Sequence, residues 1–141
     1  MSQENVEVVR EYFETVNEGD FARAMRYYAD EVELVIPGEV FLEAGTFRGK
    51  DAVGLWFGNW FRAFRRGYRF DLDEIRDVGD AVFVVARHHG RGKTSGAEVR
   101  TTFAYLFGVG DGQIGKVELF PDGRSALEAV GLSEQDAHAD S

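Results

Sequence analysis

Residues 68–120 read YRFDLDEIRDVGDAVFVVARHHGRGKTSGAEVRTTFAYLFGVGDGQIGKVELF, and this stretch decides the fold. It predicts four strands, near 68–77, 81–89, 97–108 and 113–120. Val78-Gly79-Asp80 links the first pair, and the segment from Gly90 to Gly96 is a glycine-rich hairpin loop. Asp111-Gly112 is a tight-turn signal before the last strand. Polar and apolar residues do not alternate cleanly: Val82 to Val85 and Phe103 to Phe107 are largely apolar on both faces. A sheet of that kind must be covered on both sides.

Upstream, the period becomes helical. A helix capped by Ser2 runs to Asn17, with Val6, Val9, Phe13 and Val16 as its buried stripe. Gly19 ends it in a left-handed cap, and Asp20 caps a second helix that buries Phe21, Ala24, Met25 and Tyr28. A short strand from Val32 to Ile36 closes at Pro37-Gly38. The loop from Gly38 to Gly45 carries Val40, Phe41 and Leu42 and is apolar enough to pack over something. A third helix spans Asp51 to Arg66, with Val53, Trp56, Phe57, Trp60 and Phe64 on one aromatic face. Downstream, Ser125 and Glu128 have capping-box spacing for a last helical turn or two, ended by Gly131. One domain over residues 1–132 and a polar tail over 133–141 account for the chain.

The chain has 141 residues, 44% hydrophobic and 13% aromatic, as expected of a packed globule. The absence of cysteine excludes disulfides and thiolate chemistry. A net charge of -9 argues against nucleic acid as a partner. The basic cluster Arg62, Arg65, Arg66 and Arg69 has two readings, a solvated helix face or an anion patch. The polar, acidic start is unlike a secretory signal, and no apolar run reaches a membrane span, so a cytoplasmic protein is expected. The excess of Arg over Lys fits a GC-rich bacterial source. His88 and His89 are adjacent on a strand and point to opposite faces, so they cannot share a metal. No metal and no cofactor are expected.

Four segments carry a family resemblance: Asn17-Glu18-Gly19-Asp20, Tyr28-Ala29-Asp30-Glu31-Val32, Phe47-Arg48-Gly49-Lys50-Asp51-Ala52-Val53 and Asp111-Gly112-Gln113-Ile114. In order and spacing, the chain resembles the SnoaL-like, ketosteroid-isomerase-like proteins of the nuclear transport factor 2-like superfamily. The resemblance implies an α+β fold, a cone of curved, mostly antiparallel sheet closed by three N-terminal helices around an apolar cavity. It also implies roles. The tyrosine that donates to a developing oxyanion falls at Tyr12, the general base at Ile36, and the second donor at Ala104 by counting back from the Asp-Gly turn. The base and one donor are therefore absent from the matched positions, which argues against isomerase activity.

The same matching implies a pocket lined by Val16, Tyr27, Tyr28, Val32, Leu34, Ile36, Trp56, Phe57 and Trp60. From the later strands it implies Val82, Val84, Ala86, Thr102, Ala104, Leu106, Val117 and Leu119. Its polar groups would be Tyr12, His88, Arg100 and Thr102, with Tyr12, His88 and Arg100 as the catalytic candidates. Each carries a plainer reading. Tyr12 could bond a core group, His88 could be a satisfied structural histidine, and Arg100 could pair with Glu98 or Glu118. Phe83, Phe103, Tyr105, Phe107 and Phe120 fall in the opposite phase, and their exposure would make a homodimer interface on the outer sheet face. Two functions stand: an enzyme of cyclase, isomerase, dehydratase or hydrolase type on a small, apolar or aromatic cyclic substrate, or a non-catalytic binding or dimerisation module.

Overall fold

The computed structural model describes residues 2–38, 44–79 and 81–131. The Ser2 side chain, the segment 39–43 and the tail 133–141 lie outside the described residues. The elements run α1 (Ser2–Asn17), α2 (Phe21–Ala24), a 3-10 turn (Met25–Tyr27), β1 (Tyr28–Ile36), β2 (Gly45–Arg48) and α3 (Lys50–Arg62). They continue with β3 (Arg69–Asp77), β4 (Val82–Arg91), β5 (Glu98–Gly110), β6 (Gln113–Phe120) and α4 (Gly123–Ala129). Among the described residues, six strands form one sheet in the order β2-β1-β6-β5-β4-β3. Every neighbouring pair is antiparallel except β1 with β6. The α+β architecture expected from the sequence is the one observed.

Several boundaries differ from expectation. The second helix is a single turn, and Tyr28 opens β1 instead of closing a helix. β2 was not foreseen, and α3 stops at Arg62. The last helix is capped by Asp122, whose carboxylate accepts from the Ser125 N–H at 2.8 Å, not by Ser125.

α1 buries Val6, Val9, Tyr12, Phe13 and Thr15 at helical spacing against the sheet. Gly19 takes φ 81°, and its N–H donates to the Val16 carbonyl at 2.9 Å, ending the helix. Asn17, at the end of α1, reaches sideways to the edge strand β3. Its Nδ2 donates to the Phe70 carbonyl at 2.9 Å, and its Oδ1 accepts from the Phe70 N–H at 2.8 Å.

The sheet has two unlike faces. The inner one packs under α1 and α3 with Phe70, Val82, Val84, Ala86, Phe103, Tyr105, Phe107, Val117 and Leu119. The outer one puts Phe83, Ala104 and Leu106 beneath Ala126 and Leu127 of α4. This overturns the expected phase of β5. Without an irregularity, the pairing Gly110↔Gln113 would continue to place Leu106 opposite Val117. Instead the register shifts beyond Val109↔Ile114, so that Gly108 faces Lys116 and Phe107 faces Val117. The extra residue on β6 is Gly115, and one extra residue turns the partner strand over. Phe103, Tyr105 and Phe107 therefore point inward, while Thr102, Ala104 and Leu106 point outward. The exposed aromatic patch expected on the outer face is thus absent: three of its rings are core and Phe83 is buried.

Candidate functional site

The inner face carries a cluster of hydroxyls and one imidazole inside an aromatic shell. Tyr12 of α1 and Tyr28 at the start of β1 are both buried, and their hydroxyls bond each other. Among the described residues neither hydroxyl has another partner. His88 of β4 is 4% exposed and uses both ring nitrogens. Its Nδ1 lies 2.6 Å from the Tyr68 hydroxyl and its Nε2 2.6 Å from the Tyr105 hydroxyl. Trp60 Nε1–H donates to the Tyr68 oxygen at 3.0 Å. Phe70 and Phe103 pack edge-on against the imidazole, with centroids 4.4 and 4.9 Å away, and Tyr105 lies nearly parallel to it.

Backbone detail places these groups. Tyr68 precedes β3 and crosses over Gly90, where an added Cβ would lie 2.5 Å from Tyr68 Cδ2. Any other residue at 90 would push the ring, and so the hydroxyl, off His88. Tyr105 faces Val84 across the ladder, on the His88 side of the sheet, because of the bulge on β6.

Burial fixes the charge states. It pushes the Tyr12 phenol up to about 12, partly offset by the bond with Tyr28. The same desolvation raises Tyr28, Tyr68 and Tyr105. Burial, reinforced by neighbouring His89, pushes the His88 imidazole down to about 3. At neutral pH the cluster is therefore uncharged throughout. It can donate hydrogen bonds to an oxygen, but His88 is a weak base. The buried polar residues in the described core are Thr15 and His88, so no carboxylate joins them.

The structure brings Tyr12, Tyr28, His88, Trp56, Phe57, Trp60, Val84, Ala86, Ile36, Val117 and Leu119 to the core side of the sheet. Val16 and Tyr27 are half-buried against the same core. Arg100, Thr102 and Ala104 are corrections, because the β6 bulge turns them outward. Arg100 is 72% exposed and its Nε donates to Glu98 at 2.7 Å, a surface pair and not a buried one. It borders a depression of about 260 Å³ that Arg87, His88, His89, Thr101 and Thr102 also line. There Arg87 is held by Asp73 at 2.8 Å and His89 lies 3.0 Å from Asp71. Sequence reasoning missed Tyr68 and Tyr105. The signal for Tyr105 was Gly115, an isolated glycine in a strand, which marks bulges. Among the described residues no group of three or more His, Asp or Glu could hold a metal ion.

Residues 9–117 match the SnoaL-like domain. The chain belongs to the SnoaL-like domain family. Its structure is similar to that described as a SnoaL-like polyketide cyclase from Jannaschia sp. CCS1. The two share 21% identity, with 92% of each chain covered and a TM-score of 0.73. TerC, co-crystallised with polyporic acid, is 20% identical over 89% of this chain and 96% of its own, with a TM-score of 0.70. A protein with a ketosteroid isomerase-like fold from Catenulispora acidiphila DSM 44928, in complex with trimethylamine, is 16% identical over 89% of this chain and 93% of its own, with a TM-score of 0.70. No curated protein sequence matches the chain. Identities this low show the fold. Within it, this SnoaL-like chain differs from the expectation drawn from ketosteroid isomerases: it has no acid at Ile36, but it does have an inward hydroxyl on β5, at Tyr105.

Proposed function

We propose that this SnoaL-like domain holds a small, flat, apolar molecule bearing an oxygen acceptor, using the hydroxyls of Tyr12, Tyr28 and Tyr105. One observation carries the reading. Tyr12 and Tyr28 share one hydrogen bond but own two hydroxyl protons, so among the described residues one proton in this buried site has no acceptor. An incoming carbonyl, enolate or carboxylate oxygen would accept it. Trp56, Phe57 and Phe107 supply aromatic surface beside these groups. The polyporic acid found with TerC supports a cyclic, oxygen-bearing ligand.

Any catalysis here would be polarisation of a carbonyl by neutral donors, with Tyr12 as the donor nearest the family's pattern and His88 acting through Tyr105. A non-catalytic binding role is the second reading. It is favoured by the lack of a buried carboxylate among the described residues and by the lowered basicity of His88. Calorimetric titration with 2-hydroxy-1,4-naphthoquinone tests the binding. Tyr12→Phe should weaken it about tenfold, the worth of one hydrogen bond to a charged oxygen. Equal affinity for naphthalene, or an unchanged Tyr12→Phe variant, would sink the assignment.

We also propose that the protein is a bacterial, cytoplasmic homodimer. No described helix is long and apolar enough to cross a membrane. With the expected aromatic patch turned inward, a dimer on the outer sheet face would meet through the charged ladder of Asp73, Arg87 and Arg100 and the half-buried Phe120. A single monomer boundary in sedimentation velocity at high concentration would refute it.

A further inference from the structure

Trp60, Tyr68, His88 and Tyr105 form one chain of hydrogen bonds, and its protons can be counted. Trp60 Nε1–H is a donor only, so Tyr68 accepts from it. A neutral imidazole has one N–H and one bare nitrogen. Of the two 2.6 Å bonds at His88, the ring therefore donates one and accepts the other.

Two orders satisfy the geometry. In one, Tyr105 donates to Nε2, and Nδ1–H donates to Tyr68. Tyr68 then accepts twice and its own proton is unspent. In the other, Tyr68 donates to Nδ1, and Nε2–H donates to Tyr105. All four groups then point one way and the unspent proton is on Tyr105. The choice turns on where an unspent proton is tolerable. Tyr105 is 4% exposed and has no other partner among the described residues. Tyr68 is only partly buried, so an unspent proton there costs less than one on Tyr105. An unsatisfied donor is costly in a dry core and cheap beside solvent. The first order suits the empty protein. The second suits a protein with an acceptor against Tyr105, and aligned bonds of that kind reinforce one another.

We propose that His88 is a tautomer relay, with its proton on Nδ1 when the site is empty and on Nε2 when an oxygen acceptor binds at Tyr105. The inference rests on the ligand class proposed above and deepens it. Tyr105 becomes a ligand-binding donor, and Tyr68 and His88 become positioning residues that orient it. Charge is conserved in the change. Tyr105 gives its proton to Nε2 and takes one carried in from solvent with the ligand, while Nδ1 takes on the hydrogen bond of Tyr68 by passing its proton through that hydroxyl to solvent, so one proton enters and one leaves. The site then favours an oxygen acceptor over a ligand offering only N–H or O–H groups, because in the aligned order Tyr105 has only a proton to offer.

The test is a long-range proton–nitrogen correlation spectrum of the histidine rings in uniformly 15N-labelled protein. It is recorded free and with saturating 2-hydroxy-1,4-naphthoquinone, with saturation set by calorimetry and His88 assigned through its loss in His88→Gln. The expected result is a protonated Nδ1 in the free protein and a protonated Nε2 in the complex. A free protein protonated at Nε2 overturns the order of the relay. A saturated complex with unchanged His88 shifts overturns the switch and leaves the binding reading standing. Absence of binding overturns the switch together with the binding reading, and the free spectrum still decides the order. Tyr105→Phe should bind the probe about tenfold more weakly and leave the His88 shifts unresponsive. A response that survives in this variant also refutes the relay.

Discussion

His88 and His89 are neighbours in the chain and strangers in chemistry. His88 faces inward, 4% exposed, with a tyrosine hydroxyl on each ring nitrogen. His89 faces outward and lies 3.0 Å from the Asp71 carboxylate, beside Arg69. Hydrogen bonding from Arg69 holds Asp71 below the usual carboxylate range. The inner face solves its polar problem with neutral groups that bond each other. The outer face uses charges that water screens. The strand period of two thus separates a dry donor cluster from a wet ion-pair ladder across one sheet.

The sharpest way to break this comparison is to delete each ring. His88→Ala should cost about 3 kcal/mol in urea unfolding, since it leaves a cavity and strands two tyrosine hydroxyls. His89→Ala should cost less than about 1 kcal/mol, as expected of a partly exposed polar contact. Equal costs would show that the two faces are not energetically distinct.

Acid offers a second, smaller probe. Folding lowers the His88 pKa from 6.5 to about 3, so the unfolded chain takes up a proton that the folded one refuses. Its contribution to stability is complete above the unfolded value and falls as pH drops below it, levelling off only near the folded value. The slope is up to about 1.4 kcal/mol per pH unit, or roughly 2 kcal/mol by pH 5. Unfolding curves at pH 7 and pH 5 should show this loss in the wild type and a smaller one in His88→Gln. Identical losses would mean that His88 already titrates normally in the fold.

The smallest expected effect belongs to Arg100. Arg100→Ala should change stability by less than about 0.5 kcal/mol and leave probe affinity untouched, because the side chain is exposed on the far face. A tenfold loss of affinity would place ligand on the outer side of the sheet.

Much of the fold was legible. The stripe Val6, Val9, Phe13 along α1, the Gly19 cap, the Asp111-Gly112 turn and the aromatic face of α3 are local patterns, and local patterns survive folding. The site was half legible. Tyr12, Tyr28 and His88 were picked out, but the β5 residues were read in the wrong phase. Counting from the turn assumes an unbroken ladder, and the shift opposite Gly108 breaks it. Thus Arg100 and Thr102 were expected inside and Tyr105 outside. Tyr68 lay beyond any periodic argument, because its reach to Nδ1 depends on the bare backbone of Gly90 beneath its ring.

Asn17 has a consequence for how the molecule meets other chains. Its carboxamide offers one donor and one acceptor in the arrangement of a peptide group, and both are spent on Phe70. The side chain therefore stands in for one unit of a strand beyond β3. A stranger seeking to lengthen the sheet at Phe70 finds the main-chain groups already taken, so that stretch of border cannot seed a fibril or borrow a neighbour's strand.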